Sequence, residues 1–325
     1  MTNPGHDISR RTALTRTGLA MSAALTGAVA ARGAESAPAP APVPAPAGKD
    51  FILCLNTATL RGFKMGLVEE FELAAKVGYR AVEPWVDKIH AYAKAGGSLK
   101  DVAQRVRDLG LTVESAIGFS EWIVDDDARR AKGMEQAKSD FDVVAQIGGQ
   151  RLAAPPAGAK TEPLIALPKA AERYRALLEL GDQFGVVPEM ELWAHSANIR
   201  HLSDAMFVAL AARHPKACIL ADLFHLYKGG SGFDGLHLLT GAAHPVVHMN
   251  DYPADPGPDE ISDAFRVFPG DGVAPLPQIL RSLRAGGGQT VLSLELFNHE
   301  YWKRDPLWVA QTGLDKMKAA VASAA

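Results

Sequence analysis

The amino-acid sequence predicts one α/β domain over residues 50–325, a closed (β/α)8 barrel. Three observations favour this fold. Short apolar runs typical of buried strands alternate with amphipathic helical stretches, and this unit recurs eight times. No glycine-rich GxGxxG turn follows the first run, as an open dinucleotide-binding sheet would require. With 325 residues, 47% of them hydrophobic, the chain is long enough to build the core of such a barrel.

The eight units follow one another in order. The first three pair FILCLN with LVEEFELAAKVG, YRAVEP with LKDVAQRVRDLG, and LTVESAI with a helix over 128–147. The next three pair RLAAP with a helix over 167–184, VVPEMEL with HLSDAMFVALAARH, and ACILAD with the segment around Leu236. PVVHMN with PLPQILRSLRA, and TVLSLEL with the C-terminal helix, complete the set. Helix ends at positive φ are expected at Gly78, Gly110, Gly148 and Gly185.

The first 49 residues are not expected to belong to the barrel. Residues 1–31 have the pattern of an export signal, with Arg10 and Arg11 before an apolar stretch that ends at Ala30. The twin arginine resembles a Tat signal, although Ala13 stands where that signal usually has an aromatic residue. Residues 32–49 form a Pro/Ala-rich linker. We therefore expect a periplasmic protein, without a membrane span in its mature form because the apolar stretch is too short.

Composition excludes several kinds of partner. The formal net charge is -3 and there is no run of basic residues, so neither nucleic acid nor an anionic membrane is an expected partner. Cys54 and Cys218 lie in apolar runs, where a thiol is usually a small buried hydrophobe rather than half of a disulfide. A small ligand fits this balance, and association into a homo-oligomer stays open.

Four consecutive predicted strands end in side chains that can bind a metal: Glu191, Asp222, His248 and Glu295. Each alone has an ordinary explanation, a carboxylate paired with a nearby cation or a histidine packed in the core. Packing does not explain four in succession, and the active site of a barrel lies at the carboxyl ends of its strands. Three carboxylates and one imidazole suit one divalent metal ion, with Mn2+ the first choice and Mg2+, Co2+ or Zn2+ as alternatives.

The segments around these residues carry motifs as well as ligands. They are ELW at Glu191, DxxH from Asp222 to His225, HxND at His248, RVFPGDG with Arg266, and LSLELFN at Glu295. Together they resemble the xylose isomerase-like TIM barrels, a family of sugar phosphate isomerases and epimerases, over about residues 51–317.

The resemblance implies roles for these residues. The metal ligands would be Glu191, Asp222, His248 and Glu295. Glu191 and Glu295 would also be catalytic, passing protons on opposite faces of the sugar. His225 and Arg266 would hold substrate oxygens, although a packed histidine and a solvated loop arginine are their ordinary alternatives.

Further side chains follow the strands closely enough to contact a sugar, although filling the barrel mouth is an equally ordinary role for the aromatic ones. These candidates are Asn56, Glu83, Trp85, Trp122, Trp193, His195, Lys228 and Tyr252.

The expected substrate differs from the phosphorylated sugars of the family name, because the sequence departs from the family's pattern. The segment ELWAHSANIR lacks the asparagine and second acid that the epimerases carry after the strand-five glutamate, and the acidic loop over 251–266 would repel phosphate. We expect a metal-dependent isomerase or epimerase that transfers a proton next to the carbonyl of an unphosphorylated sugar or keto-sugar. One alternative is a lyase that eliminates the aglycone of a 3-keto-glycoside, and another is a non-catalytic periplasmic sugar-binding barrel.

Overall fold

The computed structural model describes residues 51–161 and 163–325, so the predicted export signal and linker lie outside the described residues. Within that part, strands and helices alternate as the sequence predicts. The strands are β1 Ile52–Asn56, β2 Ala81–Glu83, β3 Thr112–Val113, β4 Arg151–Ala153, β5 Val187–Glu191, β6 Ile219–Asp222, β7 Val246–Met249 and β8 Val291–Leu294.

The strands are parallel and form a closed ring. Neighbours in chain order pair with each other from β1 to β3 and from β4 to β8, and β1 pairs with β8. Residues just beyond β3 make the link to β4: the Ala116 N–H donates to the Arg151 carbonyl at 3.1 Å, and the Ala153 N–H donates to the Ala116 carbonyl at 2.8 Å. The prediction of a (β/α)8 barrel is therefore confirmed.

Helices connect the strands on the outside. The described residues form α1 Leu67–Val77, α2 Val86–Lys94, α3 Leu99–Asp108, α4 Asp127–Gln146, α5 Leu167–Asp182, α6 Leu202–Ala211, α7 Leu223–Gly229, α8 Leu276–Ala285 and α9 Pro306–Ser323. The segment expected around Leu236 is only a 3-10 turn, Asp234–Leu238, because the short helix α7 directly follows β6. Gly78 ends α1 with a φ of 105°, as predicted. Among the described residues, no helix combines the length and apolar character needed to cross a bilayer.

The two faces of each strand carry different chemistry. On β5, Met190 belongs to the main apolar core, which also contains Tyr174 of α5. Its neighbours Glu189 and Glu191 point to the opposite face, because successive side chains of a strand alternate. Both carboxylates are nevertheless almost completely buried. The barrel therefore encloses ionisable groups, and its apolar faces pack against the helices.

The two cysteines are buried free thiols. This agrees with the sequence-based expectation that neither is part of a disulfide framework.

Candidate active site and metal centre

The four predicted metal ligands converge at one end of the barrel. Glu191 and Asp222 are the last residues of β5 and β6, His248 lies in β7, and Glu295 directly follows β8. In the strand register Asp222 is opposite His248, and His248 is opposite Ser293. Parallel strands end at the same side of a barrel, so these four side chains are brought together although 104 positions separate Glu191 from Glu295.

Three carboxylates surround one nitrogen of His248. Its Nδ1 lies 3.1 Å from Glu295 Oε2, 3.4 Å from Asp222 Oδ2 and 3.7 Å from Glu191 Oε1. This nitrogen is buried and has no hydrogen bond to the described residues. Convergence without hydrogen bonding is the arrangement expected of groups whose shared partner is a cation.

The other nitrogen of His248 is held by Glu83. His248 Nε2 lies 3.1 Å from Glu83 Oε2, which also accepts hydrogen bonds from Asn56 Nδ2 at 2.9 Å and Ser293 Oγ at 2.6 Å. Glu83 is completely buried and is not among the residues that border the cavity, so the structure does not support its predicted role as a substrate contact. A carboxylate on the far side of a ligating histidine fixes the orientation and tautomer of the ring.

Asn56, another predicted substrate contact, is fully engaged with protein. Its Nδ2 also donates to Glu295 Oε1 at 3.1 Å, and its Oδ1 accepts from the Trp85 indole at 3.1 Å and from the Ala58 N–H at 2.8 Å. Asn56 is completely buried, so the structure places it beneath the cavity, where it links Glu83 to Glu295.

Arg266 is bound to the same carboxylates. Its Nη1 donates to Asp222 Oδ2 at 2.7 Å and to Glu295 Oε2 at 2.9 Å, while Asp263 Oδ1 accepts from Nε at 3.0 Å and from Nη2 at 2.6 Å. Its Nη2 also lies 3.4 Å from His225 Nε2. Arg266 and His225 thus border the cavity beside the cluster, where the sequence predicted substrate contacts.

The loop that carries Arg266 is held by Asp251. The Asp251 carboxylate accepts four backbone hydrogen bonds of 2.8 to 3.1 Å, from Tyr252, Gly270, Gly272 and Ala274. A Cβ at Gly272 would overlap the Tyr252 carbonyl and this carboxylate, so the PGDG turn requires glycine there. Asp251 therefore acts on the loop, not on a ligand.

The cluster is short of positive charge. Four buried carboxylates, Glu83, Glu191, Asp222 and Glu295, share one guanidinium and one imidazole. Burial raises the pKa of Glu191 well above its usual range, and His248 only partly opposes this effect. Burial lowers the pKa of His248, but the carboxylates of Glu295, Glu83 and Asp222 together outweigh it, so that the pKa is raised well above its usual value. The cluster therefore favours a cation at its centre.

The pKa values of Asp222 and His225 are shifted in the opposite direction, downward. Burial favours the neutral form of Asp222, yet Arg266, His225 and His248 together outweigh burial and hold the pKa of this carboxyl well below its usual range. Burial lowers the pKa of His225 to about 3, so its imidazole is neutral and can accept a hydrogen bond from Arg266.

These residues fit a divalent cation. Ligand atoms of Asp222, His248 and Glu295 lie within 4.8 Å of one another, as do those of Glu191, Asp222 and His225. Carboxylate oxygens with one imidazole nitrogen are ligands that Mn2+, Mg2+ and catalytic Zn2+ accept. The buried, unbonded Nδ1 of His248 supplies the nitrogen.

A cavity of about 380 Å³ opens above the cluster. Of the predicted residues, it is bordered by Trp85, Glu191, Trp193, His195, His225, Arg266 and Glu295. Residues that the sequence did not single out complete its wall, among them Phe119, Lys160, Asp263, Phe297, His299 and Trp302. The wall is thus more aromatic than the sequence suggested.

Three predicted contacts lie elsewhere. Trp122 is completely buried in the core, where its indole donates to the Pro155 carbonyl at 2.9 Å. Tyr252 is stacked on Tyr227 with ring centroids 3.8 Å apart. Lys228 Nζ donates to the Pro258 carbonyl at 2.9 Å. None of them borders the cavity.

Two residues of the site that the sequence-based prediction missed could have been recognised from strand alternation. Ser293 and Asn250 each stand two positions from a metal-ligand candidate, where strand alternation predicts the same face. Ser293 bonds Glu83, and Asn250 Nδ2 lies 3.3 Å from Asp222 Oδ1. Phe119 and Lys160 are in loops without periodicity, so nothing local indicated that they face the cavity.

Comparison with known proteins agrees with this architecture. The model of the xylose isomerase-like TIM barrel family matches residues 71–320. An inosose isomerase of Bacillus velezensis is 26% identical over 280 residues, covering 83% of this chain and 96% of that protein. A 3-dehydroshikimate dehydratase of Pseudomonas putida is 25% identical over 71% of this chain and 36% of that protein.

Among solved structures, the IolI protein with a bound zinc atom superimposes with a TM-score of 0.77 at 22% identity. The match covers 85% of this chain and 99% of that one. This similarity supports the barrel fold.

Proposed function

The chain belongs to the xylose isomerase-like TIM barrel family, and we propose that it is a metal-dependent sugar isomerase or epimerase. Its substrate would be an unphosphorylated sugar or keto-sugar, and the reaction a proton transfer next to a carbonyl. The observation that carries this proposal is the convergence of the Glu191, Asp222 and Glu295 carboxylates on the unbonded Nδ1 of His248 at the base of a cavity.

The metal would be held by Glu191, Asp222, His248 and Glu295. A divalent cation in such a site acts as a Lewis acid that polarises a carbonyl oxygen and stabilises negative charge on it. The zinc atom bound to the IolI protein, which has the same fold, supports this assignment. Mn2+ stays our first choice among the cations that these ligands accept.

The two glutamates would move the proton. Both border the cavity, where a substrate carbon can approach them. A carboxylate in this position can take a proton as a general base and, once protonated, return it as a general acid. One glutamate would take the proton from the carbon beside the carbonyl, leaving the electron pair in an enediolate. The protonated carboxyl of the other would return one at the neighbouring carbon or on the opposite face.

The charges beside the acid cluster support a substrate without phosphate. Arg266, the cation nearest the cluster, is already engaged by Asp222, Asp263 and Glu295. The Asp263 carboxylate borders the cavity and would repel a phosphate group. The predicted export signal supports the same conclusion, and a periplasmic location stays a prediction.

A lyase is a second candidate, because one of the relatives is a 3-dehydroshikimate dehydratase. The same proton removal would generate an enolate, and the enolate could expel a group from the β carbon instead of being reprotonated. The bond to the leaving group breaks with its electron pair, and a proton is needed to neutralise that group. The protonated glutamate is the nearest donor.

Metal analysis and deuterium exchange together test the proposal. We expect one divalent cation per chain, and we expect the protein loaded with Mn2+ in D2O to introduce deuterium beside the carbonyl of a free ketose or 3-keto-glycoside. Recovery of an isomer or epimer would support the first candidate, and release of the aglycone the second. Failure to bind Mn2+, Zn2+ or Mg2+ at saturation would contradict the metal assignment. Metal binding without exchange on any of these substrates would favour the non-catalytic barrel, and preference for phosphorylated ketoses would overturn the substrate class.

A further inference from the structure

An arc of aromatic rings lines one side of the cavity. Phe297 and Trp85 have ring centroids 6.1 Å apart, Trp85 and Phe119 5.1 Å, and Phe119 and Trp193 5.9 Å. Neighbouring rings are tilted or edge-on to each other, an arrangement that stabilises aromatic groups. These four rings, called the ring arc below, follow β8, β2, β3 and β5 and therefore come from separate parts of the chain.

One end of the ring arc touches the acid cluster. The guanidinium carbon of Arg266 lies 5.3 Å from the Phe297 ring centroid, and Arg266 itself bonds Glu295. Asn56 links Trp85 to Glu295, because the Trp85 indole donates to Asn56 and Asn56 donates to Glu295. A ligand whose reacting carbons face Glu295 therefore has the ring arc beside it.

The middle of the ring arc is exposed. The Phe119 side chain is 42% exposed, although it borders the cavity, and it also borders a groove between α2 and α4. Large apolar side chains that are exposed inside a binding cavity usually contact a ligand. The cavity is thus open and apolar along Phe119.

The acid cluster and the wall of the cavity at Phe119 therefore differ in chemistry. The acids, Arg266 and His225 suit a polyhydroxylated ketone, whereas the ring arc offers flat apolar surface with few hydrogen-bonding groups. Lys160 Nζ lies 5.0 Å from the Trp193 ring centroid, and His195 connects Trp193 to His225, with ring centroids 4.9 Å and 5.3 Å apart. A simple ketose would satisfy the acid end and leave the Phe119 surface in contact with water.

From this division we infer that the natural ligand is a cyclic polyhydroxylated compound that carries a flat apolar substituent, such as an aryl glycoside in its keto form. The sugar ring would lie at the acid cluster, and the substituent would stack on Phe119 between Trp85 and Trp193. This inference rests on the proposed function for the sugar end of the cavity. It adds the class of substituent and names Phe119 as the residue that selects it.

Binding of methyl and phenyl β-D-glucopyranoside to the protein loaded with Mn2+ tests the inference by calorimetry. These glucosides lack the activating carbonyl, so their affinity does not depend on turnover. Aromatic stacking and burial of the phenyl group should make the phenyl glucoside bind about tenfold more tightly. In Phe119→Ala this preference should fall to about twofold or less.

Phe207→Ala is the matched control. Phe207 lies on α6, is 44% exposed and does not border the cavity, so its replacement removes an equally exposed ring. The preference should be unchanged in this variant. Equal binding of the two glucosides by wild type, no binding of the phenyl glucoside, or a preference that survives Phe119→Ala would each overturn the inference.

Deuterium exchange on the keto forms separates this inference from the proposed function. A preference for the phenyl glucoside that depends on Phe119, without any exchange on methyl or phenyl 3-keto-glucoside, would support the ligand class and contradict the proposed reaction. Exchange on free ketoses, together with equal binding of the two glucosides, would support the reaction and contradict the ligand class.

Discussion

Glu189 and Glu191 stand two residues apart on β5 and have different surroundings. Glu191 borders the cavity and faces His248, and Asp222 and Glu295 approach the same imidazole nitrogen. Glu189 lies one layer deeper, completely buried, with Arg151 Nε at 3.7 Å from its Oε1. Neither Glu189 oxygen has a hydrogen bond to the described residues. The same residue type on the same face of one strand therefore has two environments.

The difference shows that burial alone does not give a carboxylate access to a ligand. Burial raises the pKa of Glu189 to about 8, and it also raises the pKa of Glu191. What distinguishes Glu191 is access to a ligand and a set of converging carboxylates. Position at the carboxyl end of the strand supplies both.

The largest expected effect is on deuterium exchange, which should be reduced by replacing Glu191 but not by replacing Glu189. Glu191→Gln should reduce deuterium exchange by at least about 10²–10⁴-fold, because a proton-transfer group is lost and a metal ligand is weakened. Glu189→Gln should change the exchange rate by less than about threefold, since a carboxyl with a pKa of about 8 is mostly protonated at pH 7 and resembles the amide. Exchange rates measured by NMR in D2O at pH 7 check both variants.

Two results would contradict this distinction between Glu191 and Glu189. Similar losses in the two variants would mean that the interior layer of the barrel, not its carboxyl end, determines activity. Exchange that persists in Glu191→Gln and also in Glu295→Gln would show that other residues move the proton.

A smaller effect is expected for Glu83, which is as buried as Glu189 but bonds His248. Glu83→Gln should lower the metal affinity by about 10–100-fold, because the carboxylate that orients the ligating histidine is replaced by an amide. Competition with a chelator of known affinity measures this change, and Glu189→Gln again is the matched control. Equal metal affinity in both variants would show that the contact between Glu83 and His248 does not matter for the metal.

The smallest effect is expected for Trp122, which the sequence suggested as a sugar contact and the structure places in the core. Trp122→Phe removes the hydrogen bond to the Pro155 carbonyl and should reduce the free energy of unfolding by about 1–3 kcal/mol, because that buried acceptor loses its partner. Urea denaturation measures this loss, and the KM for any substrate should be unchanged. A KM that rises while stability is unaffected would return Trp122 to the binding site.

The sequence by itself determined the barrel and the ends of its strands. Apolar periodicity and helix-ending glycines such as Gly78 are local signals, and both agree with the structure. Polar residues at the ends of β5, β6 and β8 could be recognised for the same reason, since chain position alone assigns them to the carboxyl side of a parallel barrel.

Only the tertiary structure decided which of the remaining candidates face a ligand. Trp85 and Trp122 look alike in sequence, yet Trp85 borders the cavity and Trp122 bonds Pro155 in the core. Glu83 and Asn56 end strands as the proposed metal ligands do, but they are engaged by His248 and Glu295, which are far away along the chain. Periodicity specifies the face of an element on which a side chain lies. The partner that meets it there depends on strands and loops folded from distant residues.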